Sequence, residues 1–212
     1  MATNYSPKIV TNGLVLSLDA ADKNSYPGSG TTWYDLSGNG NNGTLSAATI
    51  GTTAAGTMTF NGTNTTITIS SPNLTSSNFT VIGVSKRTSG TGRLISGGSN
   101  NWLLGHWSTS ARQYYSLGWV EGPYGYNDTD THIFCGTGDI SGDLYNFYDN
   151  NVNYTTTTTG GSAGPNGFVL GKYYAGTEWG TGTITVLLVY DRILTSSEMT
   201  QNFNAHRHRF GV

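Results

Sequence analysis

The chain has 212 residues, of which only 10% are charged, and a formal net charge of −2. An average soluble protein is about a quarter charged. The surface expected here is therefore polar but nearly field-free, which argues against binding nucleic acid or an anionic membrane.

Thirty glycines, with abundant Thr, Ser and Asn, favour strands and tight turns over long helices. The length suits one all-β domain spanning 1–212. The opening Met1-Ala-Thr-Asn-Tyr-Ser-Pro-Lys8 lacks the apolar core of a signal peptide, and no stretch is apolar for long enough to span a membrane. Synthesis in a cytoplasm, without secretion or membrane insertion, is expected. Leu14-Val-Leu-Ser-Leu18 reads as a buried strand. Trp33 and Tyr34 follow and are expected to be half-buried. Ser37-Gly-Asn-Gly-Asn-Asn-Gly43 is dense turn chemistry. Met58-Thr-Phe60, Asn61-Gly62 and Thr65 to Ile69 read as a hairpin closed by a type I′ turn. Phe79 to Ser85 and Arg93 to Ser96 are further strands.

A run of short aromatic segments comes next: Trp102 to Trp107, Gln113 to Val120, and Tyr124 to Tyr126. Thr131 to Cys135 and Asp143 to Tyr148 resume the strand pattern. The single Cys135 sits in an apolar run and reads as a small buried hydrophobe. Asp149-Asn-Asn151 is a turn, and Phe168 to Leu170 and Ile184 to Tyr190 close the pattern. Strands about ten residues apart with Gly/Asn turns predict an antiparallel β-sandwich. Thr195-Ser-Ser-Glu198 is a capping box that opens one helix. Leu194 and Met199 form its staple, and Met199 and Phe203 lie on the face that docks. His206-Arg-His-Arg209 reads as a frayed cationic helix end, suited to the helix dipole.

The two ends of the chain carry a resemblance. Gly13-Leu-Val-Leu-Ser-Leu-Asp-Ala20, then Trp33-Tyr-Asp-Leu-Ser-Gly-Asn-Gly-Asn-Asn-Gly-Thr44, resemble the laminin-G-like branch of the concanavalin A-like lectin/glucanase superfamily. So do Phe60-Asn-Gly62, Phe79-Thr-Val-Ile82, Leu144 to Asn150, and Tyr190-Asp-Arg-Ile-Leu-Thr-Ser-Ser-Glu198. The resemblance covers most of the chain. It implies two stacked antiparallel sheets of the concanavalin A-like jelly roll, with a short C-terminal helix and a role in recognising glycans or proteins. Asn202-Phe-Asn-Ala-His-Arg-His-Arg-Phe-Gly211 is similar to copies in bacteriophage virion proteins.

Hydrolysis on this fold uses carboxylates along one strand in a Glu-x-Asp-x-x-Glu pattern, which is absent here. Retaining chemistry needs two carboxyl groups about 5–5.5 Å apart. Of the three glutamates, Glu198 serves the cap, and Glu121 and Glu178 sit in Gly-rich loops. Asp128-x-Asp130 reads as turn capping. His106 and His132 are isolated and read as structural. No catalytic residue is expected. Calcium is a candidate cofactor: many laminin-G-like domains bind it at the sandwich rim, and Asp35 offers a carboxylate among hard oxygen donors. Asn61 and Asn64, however, stand where the family is often acidic.

The aromatic middle is the strongest functional candidate. Trp102, Trp107, Tyr114, Tyr115, Trp119, Tyr124 and Tyr126 fall close together, with Arg112 and Glu121 among them. Aromatic faces with polar neighbours suit sugars, and the same residue types anchor protein interfaces. Filling of the core between the sheets is the third reading, and all three stay open here. Two functions follow. One is a virion surface protein, a capsid decoration or tail-associated component, that binds capsid or tail proteins, its own copies in a homo-oligomer, and host-surface glycans. The other is a stand-alone carbohydrate-binding adhesion module. A degenerate glucanase is the weaker third.

Overall fold

A computed structural model of the chain describes residues 7–46, 56–122, 126–161 and 163–212. Fifteen strands and one helix follow in chain order. The first five are β1 (Leu14–Asp19), β2 (Thr32–Trp33), β3 (Gly43–Leu45), β4 (Met58–Asn61) and β5 (Ile67–Asn73). Then come β6 (Phe79–Ser89), β7 (Ile95–Gly97), β8 (Trp102–Trp107), β9 (Ser110–Ser116) and β10 (Trp119–Glu121). The last are β11 (Thr131–Asp139), β12 (Leu144–Asp149), β13 (Val152–Thr157), β14 (Asn166–Leu170), β15 (Thr181–Tyr190) and α1 (Ser196–Phe210).

The strands form two antiparallel sheets. One runs β1-β15-β6-β11-β12-β13, with β4 also on β15; the other runs β10-β9-β8-β7-β14-β5-β3-β2. The expected sandwich with a short C-terminal helix is what forms. The first and last strands are neighbours: Leu16 stands opposite Val189 and Leu18 opposite Leu187. Alternation drives the layering. Leu16, Leu18, Val81, Phe134, Phe147, Leu187 and Val189 from the first sheet meet Ile67, Ile95, Trp102, Leu104 and Phe168 from the second in one core. Trp33, Trp102, Tyr114 and Tyr145 are wholly buried. At about 200 Å² each and about 25 cal/mol per Å², every such ring contributes roughly 5 kcal/mol of burial. Trp33 is thus more buried than its sequence implied, and Tyr34 is more exposed.

The strand β15 is apolar on both faces. Its alternate residues Val186, Leu188 and Tyr190 point away from the core and pack with Ile82, Ile133, Leu194 and Met199 beneath α1, where Phe203 also lies. Cys135 belongs to the same outer layer, and burial pushes its thiol up to about 12. The helix begins as expected. The Glu198 amide donates to Thr195 Oγ1 at 3.3 Å, and the Thr195 amide donates to Glu198 Oε2 at 2.9 Å. A fork from Arg192 at 2.9 and 2.6 Å, with that backbone bond, holds the Glu198 carboxyl down at about 2.

Two local expectations are corrected. Asn61-Gly62 does not close a hairpin. Met58–Asn61 pairs with β15 in one sheet, while Ile67–Asn73 pairs with β14 and β3 in the other. Both Phe60 and Ile67 are buried. The turn therefore carries the chain across the core, and Asn61 Oδ1 accepts the amides of Thr63, Asn64 and Thr65 to shape it. Nor is the end of the helix frayed. His206 is buried and held to Asn202 O at 2.8 Å. Arg209 forks onto Asp19 at 2.6 and 2.7 Å, and Gly211 closes the helix with φ 71°.

Candidate functional site

The aromatic segments β8, β9 and β10 lie at one edge of the second sheet. Alternation splits their side chains between two environments. Trp102 and Tyr114 turn inward and pack edge to face at 5.6 Å, with Phe168 on the indole at 5.9 Å. The Tyr114 hydroxyl donates to Thr137 O at 3.2 Å, and burial raises its pKa far above the ordinary range. Trp102, taken from the sequence as a surface candidate, therefore belongs to the core. The adjacent Tyr115 must point the other way.

Trp107, Tyr115 and Trp119 are half-buried on the outer face and touch one another. The Trp107 and Trp119 ring centres are 5.3 Å apart, and those of Tyr115 and Trp119 are 5.1 Å apart. Pairing of Trp119 opposite Tyr115 across β9 and β10 creates this group. Sequence reasoning missed its polar half, which comes from the loop 171–180. Trp107 Nε1 donates to Glu178 Oε2 at 2.9 Å, and Arg93 Nε donates to the same oxygen at 2.6 Å. Arg93 also donates to Asn101 Oδ1 at 2.7 Å and lies 4.3 Å from the Tyr173 ring centre. Glu178 Oε1 accepts nothing from the described residues, and its side chain is 36% exposed. An aromatic wall with a fixed carboxylate oxygen beside it stacks against C–H groups and accepts hydroxyls. Under Trp119 and Gly122 lies Gln113, wholly buried, with both amide atoms unpartnered.

A second group lies further along the same edge of β9, where Tyr126 bridges to Ala111. Arg112 sits between the rings of Tyr126 and Tyr154, 4.0 and 4.9 Å from their centres. Its Nε donates to Asp149 Oδ2 at 2.5 Å. Tyr124 lies outside the described residues. Asp149 Oδ1 holds His132 Nδ1 at 2.8 Å, and Asp128 Oδ1 holds His132 Nε2 at 2.9 Å. Burial works against a charged His132, but the bonds and charges of Asp149 and then Asp128 outweigh it and raise the pKa. Beside it, burial and the His132 charge press His106 down to about 3. Both ring nitrogens of His132 are engaged, so it has none free to take a proton from a nucleophile. Asp128 also accepts the Asp130 amide at 3.3 Å, as a turn cap does. The Thr155 hydroxyl donates to Glu121 Oε2.

The loop at Asp35 does not fit a cation. Asp35 Oδ1 accepts the amides of Ser17 and Ser37 at 2.9 and 2.8 Å. Oδ2 accepts the Ser37 hydroxyl at 2.8 Å and the Asn41 amide at 3.0 Å. Four donors occupy both oxygens, and a calcium ion needs those lone pairs. Asn39 and Asn41 turn their amide nitrogens to the Leu14 and Val15 carbonyls. Asp35 thus pins the loop to β1. Among the described residues, no group of three His, Cys, Asp or Glu side chains could hold a metal. No described helix is long and apolar enough to cross a membrane.

No protein-family model matches the chain, and no curated protein does. Solved structures do resemble it. A sialidase of Trypanosoma rangeli in complex with sialic acid matches at 17% identity and TM-score 0.63, over 95% of this chain and 34% of that one. This chain therefore spans about a third of the sialidase. The binding domain of a Paraclostridial mosquitocidal protein matches at 16% identity and TM-score 0.64, over 92% and 53%. Domain 4 of a GH43 extracellular arabinanase from Geobacillus stearothermophilus, in complex with arabinotriose, matches at 19% identity and TM-score 0.63, over 91% and 98%. What these likenesses establish for this chain is its fold, an antiparallel β-sandwich.

Proposed function

We propose that the chain is a non-catalytic recognition module that binds glycans on the outer face of its second sheet. One observation carries the reading: Trp107, Tyr115 and Trp119 form a contiguous aromatic wall beside Glu178, whose Oε1 accepts from none of the described residues. A sandwich of nearly the same length is in complex with arabinotriose in the arabinanase, which supports sugar binding by this architecture. The engaged nitrogens of His132 and the separate partners of Glu121, Glu178 and Glu198 support a role without hydrolysis. A glycan array, followed by titration of the best ligand, tests it. Trp107→Ala or Trp119→Ala is expected to weaken binding at least about ten-fold, and Glu178→Gln by several-fold. An unchanged affinity in Trp107→Ala and Trp119→Ala sinks the reading.

The setting we infer is a virion surface, as a capsid decoration or tail-associated protein, resting on the resemblance of the helical segment to phage virion proteins. There the module would contact sibling copies and capsid or tail proteins. The exposed Leu144 and Val152 supply apolar contact area for that purpose.

A further inference from the structure

Arg112 is held more tightly than a surface arginine needs to be. Its backbone has φ 61°, a left-handed conformation that is unfavourable for a non-glycine residue. Its Nε is fixed at 2.5 Å to Asp149, which is itself 2% exposed and braced by His132. The rings of Tyr126 and Tyr154 flank the guanidinium, and they are 53% and 45% exposed. Nη1 and Nη2 bond to none of the described residues. The group is held by Asp149 and flanked by two rings, and 20% of its side chain is exposed.

An end-on guanidinium fork matches a planar carboxylate, with two parallel N–H···O bonds. The flanking rings limit the approach to the plane of the fork. The charges around it are Arg87 and Arg112 with His132, against Asp128 and Asp149, and Glu121 faces the site through Thr155. Arg87 and Arg112 are already met by Asp128, Asp149 and Glu121, so the site has no surplus of fixed positive charge for a phosphate dianion, and the planar fork suits a single carboxylate. Trp119 and Tyr126 both lie on the β10 side of β9, opposite Tyr115 and Ala111, so the wall and the clamp stand at the same edge of the sandwich, the wall facing outward and Arg112 reaching inward to Asp149 of β12. We propose that Arg112 receives the carboxylate of an acidic sugar, so that the ligand following this edge is an acidic glycan. This inference rests on the reading of the aromatic face as a glycan site.

The test compares matched ligands. One pair is a polyuronate oligosaccharide and its carboxyl-reduced form; the other is a sialylated oligosaccharide and its desialylated form. Calorimetric titration of the parent is expected to show at least about a ten-fold preference for the acidic member of one pair. Which pair shows it identifies the sugar. Arg112→Gln should lose that preference, while Trp119→Ala should weaken both members alike. Tyr154→Ala leaves the ion pair with Asp149 in place, and it should lose part of the preference should Arg112→Gln fail to fold. Equal binding of acidic and neutral members by the parent overturns the inference and leaves the glycan reading standing. So does a preference unchanged in Arg112→Gln or, where that variant does not fold, in Tyr154→Ala. Binding of neither member of either pair, with no ligand on the glycan array, removes the glycan reading itself. Arg112-dependent capture of a polyglutamate peptide, with no preference among the sugars, overturns the inference in favour of a protein partner.

Discussion

His106 and His132 face each other with ring centres 6.2 Å apart, and acid acts on them in opposite directions. The folded state refuses His106 a proton down to about pH 3, whereas the unfolded chain takes one near pH 6.5. Stability is therefore lost through His106 as the pH falls from about 6.5 toward 3. His132 has a raised pKa, so its contribution is fully present below the unfolded value and is lost as the pH rises through the folded one. The variant His106→Phe keeps a ring beside Phe134 and removes the titration. Its stability in urea should gain on the parent between pH 7 and pH 4, by up to about 3 kcal/mol at about 1.4 kcal/mol per pH unit. A difference that does not change with pH would contradict the assignment. None of this was legible in the sequence, where the two histidines stand apart as isolated residues. The same holds for Arg112. The aromatic residues around it mark a candidate interface, but a left-handed φ and a partner 37 residues away at Asp149 leave no local trace. Glu178 was passed over because its partners, Trp107 and Arg93, are 71 and 85 residues distant.

At the scale of elements, local chemistry was readable where it is self-contained. The capping box depends only on Thr195 and Glu198, and it forms as written. Thr195→Ala should cost about 1 kcal/mol in chemical unfolding. The helix is held to the sandwich by a longer-range device. Asn202 is wholly buried, accepts the Val10 amide at 2.9 Å and donates to the Tyr190 hydroxyl at 3.1 Å. Asn202→Ala leaves the Val10 amide without its acceptor, while the Tyr190 hydroxyl keeps its bond to Val10 O at 2.9 Å, and should cost about 2 kcal/mol, more than the cap. Equal losses would mean that the helix is held by its apolar face alone. The turn at Asn61-Gly62 shows the limit of local reading. Its residue types suit a hairpin, but Thr181–Ile184 of β15 extends past β1 and offers an edge for β4, and pairing there outweighs pairing with β5. The decision between two sheets is made by burial of Phe60 and Ile67, which a short window of sequence does not contain.

For the whole molecule, the pairing of first and last strands ties both ends into one sheet, and a continuous core joins that sheet to the other. We propose that 1–212 unfolds as a single cooperative unit, so fluorescence and far-ultraviolet circular dichroism should give coincident urea transitions. The virion setting predicts a discrete homo-oligomer in light scattering; a monomer at all concentrations counts against it. The sandwich itself was legible because strand spacing and turn residues repeat along the chain. The proposed recognition face was legible only in its aromatic half, since its carboxylate comes from a distant loop. The central claim is that this face binds sugar. Titration of the best array glycan into the parent and into Trp119→Ala tests it most directly. The account predicts saturable binding by the parent and a loss of at least about ten-fold in the variant, with an unchanged melting temperature. A parent that binds no glycan, or a variant that binds as well as the parent, would contradict it.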